Sequence, residues 1–153
     1  RGLGDVYKRQ GLAQAKKIFD KALKAGFRRF RVSVIDMYPH VRERFLKAGL
    51  PLPYGPNGFS PSVEQLRAVD KMLEEIWYRA PQAQIESCAE PGLQVPIKCG
   101  CISSYDLELL GLDEPDADAA GPQRKNCMCY SGKTELLKHK AQCEHRCLYC
   151  YWH

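Results

Sequence analysis

The chain has 153 residues, 44% of them hydrophobic and 27% charged, and its 23 lysines and arginines against 18 aspartates and glutamates give a net charge of +5. This is ordinary globular composition with enough chain for one domain and a real core, so global disorder and a disulfide-dependent mini-protein are excluded. No run approaches about 18 consecutive apolar residues and the first ten hold no apolar signal core, so neither a membrane span nor a secretory leader is expected.

The segment 1–10 lacks clear periodicity. It resembles a translated adapter scar and is set apart from fold reasoning, which makes the expected protein a piece of a longer one. Over 11–25, Leu12, Ala15, Ile18, Phe19, Ala22 and Leu23 recur at helical spacing, with Lys16, Lys17, Asp20 and Lys24 opposite and Gly26 as the stop. Residues 29–36 switch to period two, with Phe30, Val32 and Val34 on one face and Arg31 and Ser33 on the other. Asp36 closes that strand, and Arg28, Arg29 and Arg31 read as its solvated entry. A short helix over 38–48 leads to a Pro/Gly-rich loop over 51–58. Ser60-Pro61 is the expected start of a long helix carrying Val63, Leu66, Val69, Leu73, Ile76 and Trp77 as a core stripe. A second strand follows at 84–88. The helix–strand–helix–strand order predicts parallel α/β units. Two further helices, at 104–110 and 133–140, flank an acidic linker over 111–122.

The cysteines are the unusual term. All eight fall between Cys88 and Cys150. Such clustering favours reduced thiols for a metal, and hence a cytoplasmic location, over a secreted disulfide scaffold. Cys143, Cys147 and Cys150 form a C-x3-C-x2-C loop. Three thiolates on one curved loop can each hold one iron of a [4Fe–4S] cluster and leave the fourth iron open. They can equally bind structural zinc, with a fourth ligand from His139, His145, His153, Cys127 or Cys129. Cys127-x-Cys129 and Cys99-x-Cys101 each place two thiols on one face of an extended segment. The first pair stands as a source of additional ligands. The second could likewise pinch a metal or supply a second cluster, but reads rather as buried thiols or as a shield around the loop centre. Asp36 and Glu90 lie at strand C-terminal ends, the edge that carries active sites in parallel α/β proteins, and are candidates for the substrate face. For Asp36 a helix N-cap role is the competing reading.

The C-x3-C-x2-C spacing with an aromatic, Tyr149, before the last cysteine resembles the cluster loop of the radical S-adenosylmethionine enzymes. More of the chain resembles a narrower family, domain of unknown function 1848, whose cysteine cluster lies near the C-terminus. The resemblance rests on Ser33–Tyr38, Glu86–Glu90, Cys101–Asp106, Gln123–Cys129 and Cys143–Tyr151, in that order. It implies a [4Fe–4S] cluster on Cys143, Cys147 and Cys150, S-adenosylmethionine on the open iron with Tyr149 on its adenine side, an electron donor, and a hydrogen-abstracting radical as the product of cleavage. Two departures stand out: Arg146 where a glycine is usual, and Trp152 where a small residue is usual.

The expected architecture is therefore α/β, part of a TIM-like partial or permuted barrel. Its segments are a non-native 1–10, a barrel-like 11–98 and a cysteine-rich iron–sulfur extension, 99–153. The expected function is a radical S-adenosylmethionine-like iron–sulfur protein. The alternatives are a structural zinc module and an iron–sulfur accessory or electron-transfer protein that does not cleave S-adenosylmethionine. The substrate, small molecule or macromolecule, is left open. The charge permits nucleic acid without arguing for it.

Overall fold

A computed structural model of the chain describes residues 3–113, 126–130, 143, 145 and 147–150, with side chains from residue 11 onward. The element order is α1 (Leu3–Lys24), β1 (Arg29–Val32), α2 (Pro39–Lys47), α3 (Val63–Arg79), β2 (Gln84–Ser87), β3 (Ile97–Lys98) and α4 (Ser104–Leu110). The strands form one parallel sheet in the order β1-β2-β3, with Phe30 beside Ile85 and Glu86 beside Ile97. The sheet is open, and among the described residues it does not close into a barrel.

Period two in β1 divides the molecule into layers. Phe30 and Val32 face the core, where Phe19 of α1, Met72, Leu73 and Ile76 of α3, and Ile85 of β2 pack together. Phe19 and Phe30 meet at 4.8 Å between ring centroids. Arg29 and Arg31 go to the opposite face. They are not a solvated entry, as the charge pattern suggested. Arg29 Nε donates to Glu86 Oε1 at 2.8 Å and Arg31 Nε to Glu86 Oε2 at 3.0 Å, while both guanidinium groups also reach Asp106 of α4. Glu86 is 1% exposed, so this carboxylate is buried only because two cations and their hydrogen bonds replace its water.

The element ends differ from expectation for identifiable reasons. Strand β1 stops at Val32 rather than 36 because side chains take the next backbone groups. The Val34 N–H donates to Glu90 Oε1 at 3.1 Å, and the Ile35 carbonyl accepts from the Tyr54 hydroxyl at 2.8 Å. Helix α3 is capped by Ser62 rather than Ser60. The Ser62 hydroxyl accepts from the Gln65 N–H and Gln65 Oε1 accepts from the Ser62 N–H, a reciprocal capping box that Ser60 cannot make. Trp77 is 47% exposed and beside Tyr78, not core, because Leu73 and Ile76 already occupy the face turned to the sheet. Gly26 has φ +95°, as the predicted stop of α1 requires. Helix α1 runs back to Leu3, through the segment set apart as a scar. The helix expected at 133–140 and most of the acidic linker lie outside the described residues.

Candidate metal centre

In a parallel sheet all strand C-termini emerge at one edge. Here that edge carries sulfur. Strand β2 runs directly into Cys88, and β3 runs into Cys99, Gly100 and Cys101. The segment 126–130 lies across them. Cys88, Cys127 and Cys129 bring their three sulfurs within 4.8 Å of one another, the one such group among the described residues. Cys88 Sγ is 3.9 Å from Cys127 Sγ and 3.7 Å from Cys129 Sγ. Cys88 and Cys129 are buried and Cys127 is half-buried.

Backbone geometry explains how the segments come so close. A Cβ on Gly100 would lie 2.6 Å from the Met128 carbonyl oxygen and 2.8 Å from the Cys129 Cα, so only glycine lets these backbones touch. Ala89 follows Cys88 with φ +56°, and Asn126 precedes Cys127 with φ +63°. Left-handed backbone costs free energy at any residue but glycine, least at asparagine, and here it turns the chain at both sides of the sulfur group.

The sulfurs do not ionise alike. Desolvation opposes charge on Cys129, but the Ile102 N–H, the Cys127 thiol, the Cys101 N–H and the Cys88 thiol together bring it down to about 7. The Cys101 N–H lies 3.0 Å from Cys129 Sγ. Cys101 as a residue is exposed, yet desolvation of its thiol and the negative charge of Cys88 and Cys129 push it up to about 11. Desolvation likewise raises Cys127, and it raises Cys99, whose thiol interacts with Glu86. Cys129 is thus the thiol of this group most readily ionised.

Beside the sulfurs lies a polar strand-end cluster. Glu90 Oε1 accepts from the Ser33 hydroxyl at 2.5 Å as well as from the Val34 N–H, so this carboxylate ties the end of β2 to the end of β1. Lys98 Nζ donates to the Glu90 carbonyl at 2.7 Å and to the Leu93 carbonyl, closing the turn that leaves Cys88. Burial first, and then the charges of Asp36 and Glu90, push the Tyr54 phenol up to about 12. Asp36, Glu90 and Tyr54 thus share one neighbourhood. A cavity of about 760 Å³ opens next to it, lined by Val34, Phe45, Leu52, Tyr54, Gln65 and Val69 among others. That volume lies in the range of small-molecule sites.

The C-terminal loop stands differently. Cys143, Cys147 and Cys150 are each half-buried. Cys150 N–H bonds the Cys147 carbonyl at 3.2 Å, and Arg44 of α2 donates to the Cys150 carbonyl at 2.6 Å. Tyr149 is 64% exposed, and hydrogen bonding to Cys147 with the charges of Cys147 and Cys150 raises its phenol. The three sulfurs are not drawn within 4.8 Å of one another. Residues 144, 146 and 151–153 lie outside the description, as does His139.

Of the residues singled out in the sequence, Cys127 and Cys129 are brought to a common point, Asp36 and Glu90 to a second. Cys88 was missed as a ligand, although its place at a strand C-terminus is the same signal that picked out Asp36. Cys101, expected as a buried or shielding thiol, is exposed, and its N–H donates to Cys129 Sγ at 3.0 Å. Lys98 and Arg44 carry no motif and were not legible.

Fold and site together define a parallel α/β protein with a thiol group that could hold a metal ion, and among the described residues no helix is long and apolar enough to cross a membrane. The model of the family described as Domain of unknown function (DUF1848) matches residues 5–152, and the chain belongs to that family. No curated protein and no solved structure matches it.

Proposed function

We propose that the chain is a cytoplasmic iron–sulfur protein of the radical S-adenosylmethionine kind. Cys143, Cys147 and Cys150 would hold a [4Fe–4S] cluster with one iron left open for S-adenosylmethionine, and Tyr149 would flank it. The donor set fits that group, since three thiols within eight residues match three irons and leave one free. The bound cluster supplies one-electron chemistry, which calls for an electron donor. The protein's part is to bind, orient and exclude water.

The observation that carries this reading is the spacing of Cys143, Cys147 and Cys150 with Tyr149 before the last of them. Arg44 donates to the Cys150 carbonyl at 2.6 Å and so ties the loop to α2, the helix that follows β1. Asp36 and Glu90 would meet substrate or set the charge beside it. The parallel order with helices in the β1–β2 crossover also supports the finer architectural reading, a segment of a TIM-like barrel.

Anaerobically prepared protein should carry about four irons and matching sulfide on the loop. With a strong reductant it should convert S-adenosylmethionine to 5′-deoxyadenosine and methionine. Cys143→Ala, Cys147→Ala and Cys150→Ala should each lower iron content and abolish the cleavage. Full iron content in all three variants would overturn the proposal.

A further inference from the structure

We propose that Cys88, Cys101, Cys127 and Cys129 form a second and separate centre, a mononuclear zinc site of four thiolates that fastens the 126–130 segment to the C-terminal edge of the sheet. It goes beyond the loop cluster and does not depend on it.

The metal follows from the sulfur spacing. Four sulfurs about 2.3 Å from one zinc stand about 3.8 Å from each other at the corners of a tetrahedron. The two sulfur pairs around Cys88 are 3.9 and 3.7 Å apart. A cubane would need each cysteine on a different iron and so a wider spread of sulfurs. The observed spacing fits one ion. Closed tetrahedral sites of cysteine sulfur are characteristic of structural zinc.

The fourth ligand follows from the fold. Three sulfurs of a tetrahedron come from Cys88, Cys127 and Cys129. Cys101 is adjacent to that group, since its N–H donates to Cys129 Sγ at 3.0 Å. Its sulfur is not among the three that lie within 4.8 Å of one another, so completing the site would turn the Cys101 side chain onto the ion. Cys99 is not a candidate, because its thiol is turned to Glu86 and to the Gly100 carbonyl.

Four features argue for a built site. The ligands come from three chain segments far apart in sequence. Gly100 allows the backbone contact that joins two of them. Ala89 and Asn126 hold left-handed backbone directly beside Cys88 and Cys127, a local cost that metal–sulfur bonds would offset. The N–H groups of Cys101 and Ile102 aimed at Cys129 Sγ are the outer hydrogen bonds that orient a thiolate ligand. Binding releases the thiol protons and leaves the sulfurs unoxidised.

The test is zinc X-ray absorption on the full chain purified anaerobically without added metal. The expected result is about one zinc per chain in a shell of four sulfurs near 2.3 Å. Zinc should remain in the Cys143→Ala/Cys147→Ala/Cys150→Ala variant, which reports on the loop alone. Cys101→Ser should convert the shell to three sulfurs and one lighter atom and speed removal by a chelator at least tenfold. Cobalt substituted for the zinc should give the intense thiolate bands and the visible spectrum of a tetrahedral ion. Absence of zinc, zinc that disappears with the loop cysteines, or a second set of iron and sulfide lost on Cys88→Ser would each overturn the proposal.

Discussion

The eight cysteines make two groups built on opposite principles. Cys143, Cys147 and Cys150 sit within eight residues, and any chain that curves there carries all three sulfurs with it. Cys88, Cys127 and Cys129 span about forty residues and meet only because a parallel sheet ends where it does and Gly100 lets another segment lie on its edge. The local group needs a metal to gather its sulfurs. The distant group is gathered by the fold itself, its three sulfurs within 4.8 Å of one another. A site assembled by tertiary structure should fail when the sheet fails, and a local loop should be indifferent to it.

The most damaging way to probe that contrast is Glu86→Ala. Glu86 lies one residue before the end of β2 and pairs with both Arg29 and Arg31. Removing one partner of a buried ion pair costs about 3–5 kcal/mol. Urea unfolding should show a drop of that size, with zinc released in the same transition.

Acid probes the same network more gently. Hydrogen bonds from Ser103, Arg29 and Arg31 outweigh desolvation and hold Asp106 well below the usual carboxylate range, and Arg29 and Arg31 lower Glu86 as well. Carboxylates lowered in the folded state contribute stability that is fully present above their unfolded values, about 3.9 and 4.3. That stability is lost as pH falls through the folded values. The unfolding midpoint should therefore be insensitive to these two groups between pH 7 and 5 and decline below pH 4. A decline already complete at pH 5 would contradict the ion-pair geometry.

Gly100→Val should separate the two groups. The new side chain would press on the Met128 carbonyl and the Cys129 backbone, and overpacking of this kind costs about 1–3 kcal/mol. Zinc should be lost while loop iron is retained. Equal loss of both would show that the two groups are not independent.

The mildest change is Arg44→Ala. It removes the 2.6 Å hydrogen bond to the Cys150 carbonyl, worth about 1 kcal/mol. The sheet and the zinc should be unaffected, and iron should leave the loop several-fold faster under a chelator.

The difference between the groups is also a difference in legibility. Amphipathic spacing in α1 and α3, the period-two pattern of β1 and the parallel order are local or nearly so, and they were readable from sequence. The spacing of Cys143, Cys147 and Cys150 is local too. Cys88 could be read as lying at a strand C-terminus, but its partners could not, because they lie 39 and 41 residues away and no motif joins them. The pairing of Arg29 and Arg31 with Glu86 and Asp106 was hidden for the same reason, since charge near a strand entry looks solvated until the opposing acid is known. Two-residue β3 is too short to show any period. The early stop of β1 depends on Glu90 and Tyr54 capturing its backbone, which no property of residues 33–36 announces.

The most direct test of the account is a reciprocal metal count. Iron, sulfide and zinc would be measured per chain in the unmodified protein, in the variant lacking the three loop cysteines, and in Cys88→Ser/Cys129→Ser. Two separate centres predict about four irons and one zinc in the first, zinc alone in the second and iron alone in the third. Both metals lost together in either variant, or a single metal in the unmodified protein, would contradict it.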